Sequence, residues 1–437
     1  MNKLLPRPPV RRGPLRLLRR VLVGLLAAAF GALSAAQAAE PALGESLDEL
    51  LAYAREHNPD LAASTLEADA AHARVEPAAA LPDPRFQLEL MDVTNTMNPG
   101  RSTSLLPGEV GTTRYRVIQP LPFWGKRDLR GEVAAAQAGR TDALRERTRV
   151  ELEFRIKSAF AQHYQAFGRS RILDETLALV DLLEQVATAR YSVGLVPQQD
   201  VIRAQSERTA LKVELLEAER RRRDAAAKLN AALARDPRAE LAPPRVLPAG
   251  PEEMDLALLA ERVRTASPEI AGERAGMLAA QKNRELTWLN RYPDFAVGVT
   301  HNRPAGGDSN WDVMLELNIP LQQSARRAQE RAAVAGEQAA EARVAAAEAR
   351  QLGRLGEAWA GFESSREKAG LLRDTLLPQA NATLDSARAG YETGRVNFNT
   401  VIEAQRQILR TRLALLDAEA DTALRLAELE LLAGGSL

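Results

Sequence analysis

Four short segments of this 437-residue chain alternate between apolar and polar residues, and most of what surrounds them follows a helical period. Phe86, Leu88 and Leu90 oppose Arg85, Gln87 and Glu89, and Arg114-Tyr115-Arg116-Val117 alternates in the same way. Further on, Phe295, Val297 and Val299 oppose Ala296, Gly298 and Thr300. The clearest run sets Trp311, Val313, Leu315, Leu317 and Ile319 against Asp312, Met314, Glu316 and Asn318. Period two with one apolar and one polar face predicts β-strands. Helices are expected over about 45–79, 126–190, 198–235, 254–290, 323–389 and 398–432. At ~1.5 Å per residue the two longest would each run roughly 100 Å, far beyond a globular helix.

The order of these elements repeats. Residues 187–219 lie over 387–419 without a gap, with 13 identities in 33 positions at an offset of 200. The identities include Tyr191/Tyr391, Gly194/Gly394, Val201-Ile202/Val401-Ile402 and Ala204-Gln205/Ala404-Gln405. Upstream, Asn58-Pro59-Asp60-Leu61 echoes Ser267-Pro268-Glu269-Ile270 at a slightly larger offset. The difference falls in the polar, Gly/Pro-rich loop 94–112, whose counterpart near His301–Ser309 is shorter. The expected organisation is a first repeat over 39–236, a Pro-rich linker over 237–251 and a second repeat over 252–437. Each repeat is read as a helix, two strands and a long antiparallel helical hairpin.

Composition narrows the chemistry. Apolar residues make up 45% of the chain and aromatics 4%, so the apolar content is largely alanine and leucine, which favour close-packed helices. Lys plus Arg equals Asp plus Glu at 58 each, which argues against a nucleic-acid partner. Cysteine is absent, which excludes disulfides, thiolate metal sites, a thiol nucleophile and a lipid-modified cysteine. His57, His72, His163 and His301 show no metal-binding spacing, and neither a phosphate loop nor a nucleophile elbow occurs. No enzyme activity, metal site or cofactor is therefore expected. Arg220–Arg223 is flanked by Glu217, Glu219 and Asp224 and reads as a solvated helix face.

The N-terminus is arginine-rich, then apolar over Val21–Phe30, then small at Ala36-Gln37-Ala38. This is the pattern of a cleaved export signal over 1–38. No later segment is apolar enough to cross a membrane as a helix, so only the strands could do so. Two readings fit them. They could form a soluble sheet packed on the helices, or segments of ~9–11 residues that cross a bilayer at a tilt. Four strands are too few for a barrel, and open edges do not survive in lipid. Three copies would supply twelve strands, with polar faces lining a lumen and apolar faces meeting lipid.

Taken together, these features resemble the TolC family of outer-membrane efflux channels. The matching residues are Tyr191-Ser192-Val193-Gly194-Leu195-Val196 with Asp200, Tyr391-Glu392-Thr393-Gly394, and Gln119-Pro120-Leu121-Pro122-Phe123-Trp124-Gly125-Lys126-Arg127. The last of these looks most like members paired with heavy-metal exporters. The resemblance implies a mainly α homotrimer with a twelve-stranded outer-membrane barrel and a helical tunnel reaching deep into the periplasm. It implies a passive exit duct served by a periplasmic adaptor and an inner-membrane RND-type pump, with lipid of the outer membrane around the barrel. By position Tyr391 would be a gate tyrosine, Asp200 its acidic partner and Glu403 part of an acidic constriction, with Tyr191 the first tip's counterpart. The turns Gly194, Leu195, Val196, Gly394 and Arg395 would meet the adaptor. Two departures stand out: Thr400 replaces a second constriction acid, and Val396 replaces a gate arginine. The alternatives are a periplasmic adaptor or a helical scaffold without channel activity.

Overall fold

The computed structural model describes residues 43–97, 100–248, 250–251 and 253–437. The expected export signal over 1–38 lies outside the described residues. Ten α-helices and four strands follow in the order α1 (Leu47–His57), α2 (Pro59–Ala73), α3 (Val75–Ala79), β1 (Arg85–Met91), β2 (Thr112–Leu121), α4 (Lys126–Ser192), α5 (Gln198–Ala232), α6 (Leu256–Ala266), α7 (Pro268–Leu289), β3 (Asp294–Pro304), β4 (Asn310–Asn318), α8 (Gln323–Leu371), α9 (Leu377–Glu392) and α10 (Phe398–Leu432). A π-helical turn, Leu372–Leu376, joins α8 to α9.

Local chemistry sets the helix ends, and it breaks three helices that periodicity alone ran together. The Asn58 side chain accepts from the amides of Asp60 and Leu61 while Pro59 opens α2, so the helix expected over 45–79 divides there. Ser267 and Pro268 divide the helix expected over 254–290 at the matching place. The helix expected over 323–389 meets Pro378, whose missing amide cannot donate to the preceding turn. The chain widens into the π turn just ahead of it and then continues as α9.

The 67-residue α4 is the spine of the molecule. It packs on α5 and α10 toward one end and on α2, α3 and α7 toward the other. Small residues let the helices approach: Ala159, Ala166, Ala187, Ala204, Ala418 and Ala420 are buried. At Gly168 an added methyl would stand 2.8 Å from Leu416. Buried leucines and aromatics between the alanines supply the apolar stabilisation, roughly 1.5–3 kcal/mol for each large side chain. Polar pairs mark the α4–α10 seam: Lys157 with Glu430 at 2.7 Å, Arg169 with Asp417 at 3.0 Å and Arg412 with Glu175 at 2.5 Å. The Arg169–Asp417 and Arg412–Glu175 pairs are partly exposed and contribute about 0–1 kcal/mol each, whereas the largely buried Lys157–Glu430 pair chiefly fixes register.

All four strands form one antiparallel sheet in the order β1-β2-β3-β4. The segment after α5 folds back over the helices and pairs with the chain just before α1. There the Ala242 amide donates to the Leu43 carbonyl at 2.9 Å, and the Arg245 amide to Glu45 at 3.1 Å.

Candidate channel wall and gate

Register aligns like with like across the sheet. Phe86, Val117, Val299 and Val313 lie in one row, and Leu88, Tyr115, His301 and Trp311 in the next on the same face. Among the described residues no helix packs on the middle of that face: Phe86 is 66% exposed, Val313 80%, Leu315 73% and Trp311 70%. A soluble sheet would bury such a face on the helices, so the packed-sheet reading fails on this observation. The opposite face carries a connected polar network. Arg114 donates to Asn302 at 2.9 Å and to Glu89 at 3.0 Å, while Arg116 donates to Thr300 at 3.3 Å and to Gln87 at 3.4 Å. Asn302 in turn donates to Asp312.

Where β2 turns into α4, Lys126 is buried with its side chain 2% exposed. Its ammonium donates to the Tyr292 carbonyl at 2.9 Å and to Asp294 at 2.8 Å, and Asp294 also accepts from the Phe123 amide. The Phe123 and Tyr292 rings stack at 4.6 Å. This ties the crossing from β2 into α4 to the crossing from α7 into β3, so sheet and helices keep a fixed relation.

At the far end both hairpin tips close in the same way. The Gly194 amide donates to the Tyr191 carbonyl and that of Leu195 to Arg190, both at 2.9 Å. The Gly394 amide donates to Tyr391 at 3.1 Å and that of Arg395 to Gly390 at 2.8 Å. These paired bonds are Schellman ends, which need a left-handed residue, and Gly194 and Gly394 sit at φ 73° and 71°. The two tyrosines then part company. Tyr191 is 45% exposed, whereas Tyr391 is 5% exposed and edge-on to Phe398 at 5.4 Å. Arg190 reaches from the first tip to the second: its guanidinium lies 4.9 Å from the centre of the Tyr391 ring and donates to the Tyr391 carbonyl at 2.8 Å.

Among the described residues the Tyr391 hydroxyl has no hydrogen-bond partner, and none joins it to Asp200 within the chain. The two are still electrostatic neighbours. Burial pushes the Tyr391 phenol up, the Asp200 carboxylate pushes it further, and Arg190 pulls it back. Burial likewise raises the Asp200 carboxyl, against the pull of Arg203.

Comparison with known proteins settles the family. The sequence profile for "Outer membrane efflux protein" matches residues 50–235 and 259–435. The chain belongs to this family. As an outer membrane efflux protein it is a channel component and not an enzyme. It is 22% identical over 378 residues to the cobalt-zinc-cadmium resistance protein CzcC of Cupriavidus metallidurans, covering 86% of this chain and 87% of that one. It is 28% identical over 196 residues to the nickel-cobalt-cadmium resistance protein NccC of Alcaligenes xylosoxydans, covering 45% of this chain and 41% of that one. Among solved structures, CusC superposes with a TM-score of 0.75 at 17% identity, covering 89% of this chain and 92% of that one. VceC from Vibrio cholerae superposes at 0.74 and 17%, covering 89% and 96%. The fold of these structures is the fold of this efflux protein.

Of the remaining residues singled out in the sequence of this outer membrane efflux protein, some surround the tips and the histidines lie elsewhere. The Glu403 side chain is 66% exposed on α10 and stands 3.5 Å from Arg406. Arg406 in turn grips Glu207 of the first hairpin at 2.5 Å. Thr400, where a second acid was absent, donates from its amide and hydroxyl to Asn397 at 3.1 Å and so closes the cap of α10. Leu195 is exposed at 67%, while Val196 and Val396 pack against the tip core around Phe398. His57 stacks on Tyr53, His72 pairs with Asp142, His163 is buried on α4 and His301 lies beside Trp311, so the four occupy four separate places. Sequence reasoning missed Arg190 and the Lys126–Asp294 pair. The signal for Arg190 was its place in the repeat, where Gly390 stands 200 residues later.

Proposed function

We propose that three copies of this protein close a twelve-stranded barrel in the outer membrane, continued by a helical tunnel, and that the assembly is the passive exit duct of a tripartite efflux system. The observation that carries this is the sheet itself. It has an apolar face whose middle no helix covers, a polar face joined by hydrogen bonds, and two edges, β1 and β4, that pair with no other strand among the described residues. Open edges in lipid leave backbone groups unpaired at several kcal/mol each, so β4 of one copy must meet β1 of the next. Polar faces then line the lumen, and the uncovered apolar faces meet lipid.

The periplasmic end is the proposed gate, formed by Tyr391 with Asp200 and, higher on α10, by Glu403. Three Glu403 carboxylates gathered on the axis would attract cations and repel one another. The turns Gly194–Val196 and Gly394–Arg395 are the proposed contacts for a periplasmic adaptor, with an RND-type pump behind it. Heavy-metal cations are the proposed substrates, supported by the names of the two relatives. A periplasmic adaptor or a scaffold would have no use for a sheet with a bare apolar face.

The test is native mass spectrometry of the detergent-extracted protein with conductance in planar bilayers. A trimer that conducts is expected. Recovery as a soluble periplasmic monomer would sink the reading. For the substrate, a deletion strain should lose tolerance to cobalt, zinc or cadmium; unchanged tolerance to all three would overturn the metal assignment.

A further inference from the structure

We infer that Arg190 is a positioning residue of the gate, a latch by which the first hairpin holds the tip of the second closed. The inference rests on the channel reading and goes beyond it, because it names the joint that must release. Three observations meet at this residue.

First, the Arg190 guanidinium donates to the last carbonyls of α9, Tyr391 at 2.8 Å and Glu392 at 3.5 Å. The last carbonyls of a helix have no partner within it and carry the negative end of its dipole, so a cation there caps the end and favours its closure. Second, the same group lies over the face of the Tyr391 ring, 4.9 Å from its centre, where the ring's negative face meets the charge. One flat side chain therefore fixes both the backbone and the ring of the proposed gate tyrosine. Third, among the described residues Arg190 has no carboxylate partner. Its charge is committed to the neighbouring tip and not to an ion pair on its own hairpin.

The repeat supplies an internal contrast. At the matching place in the second tip stands Gly390, so no side chain reaches back to cap α4. A methyl at Gly390 would come within 3.1 Å of Val396. The latch thus runs one way, from the first tip to the second. Tyr391 is buried in the tip core against Phe398 and under Arg190, while Tyr191 is 45% exposed. Opening requires the second tip to leave Arg190, since the carbonyls and the ring move together.

The test is the conductance of the purified protein in planar bilayers, with wild type, Arg190→Gln and Arg190→Lys compared. Loss of a charged hydrogen bond and the ring contact should shift the closed-to-open ratio on the order of tenfold toward open in Arg190→Gln. Arg190→Lys, which keeps a donor but not the flat stack, should fall between. Thermal unfolding of all three proteins should coincide, which separates a latch from general destabilisation. Because the chain has no cysteine, Arg190→Cys with Glu392→Cys can be bridged by a short, reducible thiol cross-linker. The bridged protein should stay closed and should open on reduction. Conductance of Arg190→Gln equal to wild type, or a bridged tip that still opens, would overturn the latch. Absence of conductance in every variant, wild type included, would overturn the channel reading itself and the latch with it.

Discussion

Leu315 and Glu316 are neighbours on β4 at nearly the same height, and they point to opposite faces of the sheet. Leu315 is 73% exposed and stands in register with Val297, one residue from the middle of its strand. Glu316 stands in register with Ala296 on the polar side. If the apolar face meets lipid, Leu315→Arg places a cation near the bilayer midplane, at a cost of about 2–4 kcal/mol per copy. Three copies in one barrel make that roughly 6–12 kcal/mol per trimer, comparable with the whole stability of an ordinary domain at about 5–15 kcal/mol. Glu316→Arg introduces the same side chain into the aqueous lumen, where the cost should stay below about 1 kcal/mol. The assay is refolding from urea into lipid vesicles, with the trimer band on unheated gels as the readout and the outer-membrane yield in cells as a check. Leu315→Arg should lose most of its assembled trimer while Glu316→Arg keeps it. Normal assembly of Leu315→Arg, or loss with Glu316→Arg alone, would refute the assignment of the two faces.

Other outcomes follow from the crossing and the tips. Lys126→Met removes the donor shared by Asp294 and the Tyr292 carbonyl and should lower stability by about 2–3 kcal/mol in thermal unfolding, since both acceptors lose a charged partner. Gly194→Ala meets no atom within 4 Å, so its cost is the left-handed backbone alone, about 1–2 kcal/mol in the same measurement. Asp200 has its carboxyl raised by burial, so the folded tip binds its proton more tightly than the unfolded chain does. Stability of the tip should therefore rise as pH falls from neutral through that raised value, and amide exchange over residues 387–400 should slow. Asp200→Asn should abolish the dependence; an unchanged pH profile in that variant would assign the effect elsewhere.

Much of the fold was readable because its signals are local. Strand alternation reports a face directly, since side chains in a strand point to opposite sides in turn, and the apolar rows of the sheet contain the residues that alternation selected. The returning helices at Gln198 and Phe398 start where the sequence places them, because a glycine turn ends the preceding helix at a fixed distance. Helix continuity was less readable. Asn58-Pro59 and Ser267-Pro268 were visible as an echo between the halves, yet their capping geometry divides helices that an apolar period alone keeps whole. Pro378 was visible too, but a proline can kink, break or widen a helix, and its position alone does not say that a π turn forms over Leu372–Leu376.

The sequence by itself determined the parts of this protein: two tips built on Tyr-x-x-Gly, four amphipathic strands, and long alanine-rich helices that pack closely because alanine leaves room for it. The tertiary structure decided how those parts are joined. Lys126 meets Asp294 across 168 residues, and Arg190 meets Tyr391 across 201. No local period encodes such pairs; they exist because α4 is long enough to carry one end of the chain's chemistry to the sheet and the other to the tips. Two tyrosines in equivalent places, one exposed and one buried, show the same division. The tyrosines are the same residue in the repeat, and their surroundings made them different: Tyr391 packs on Phe398 in the tip core and under Arg190 from the opposite hairpin.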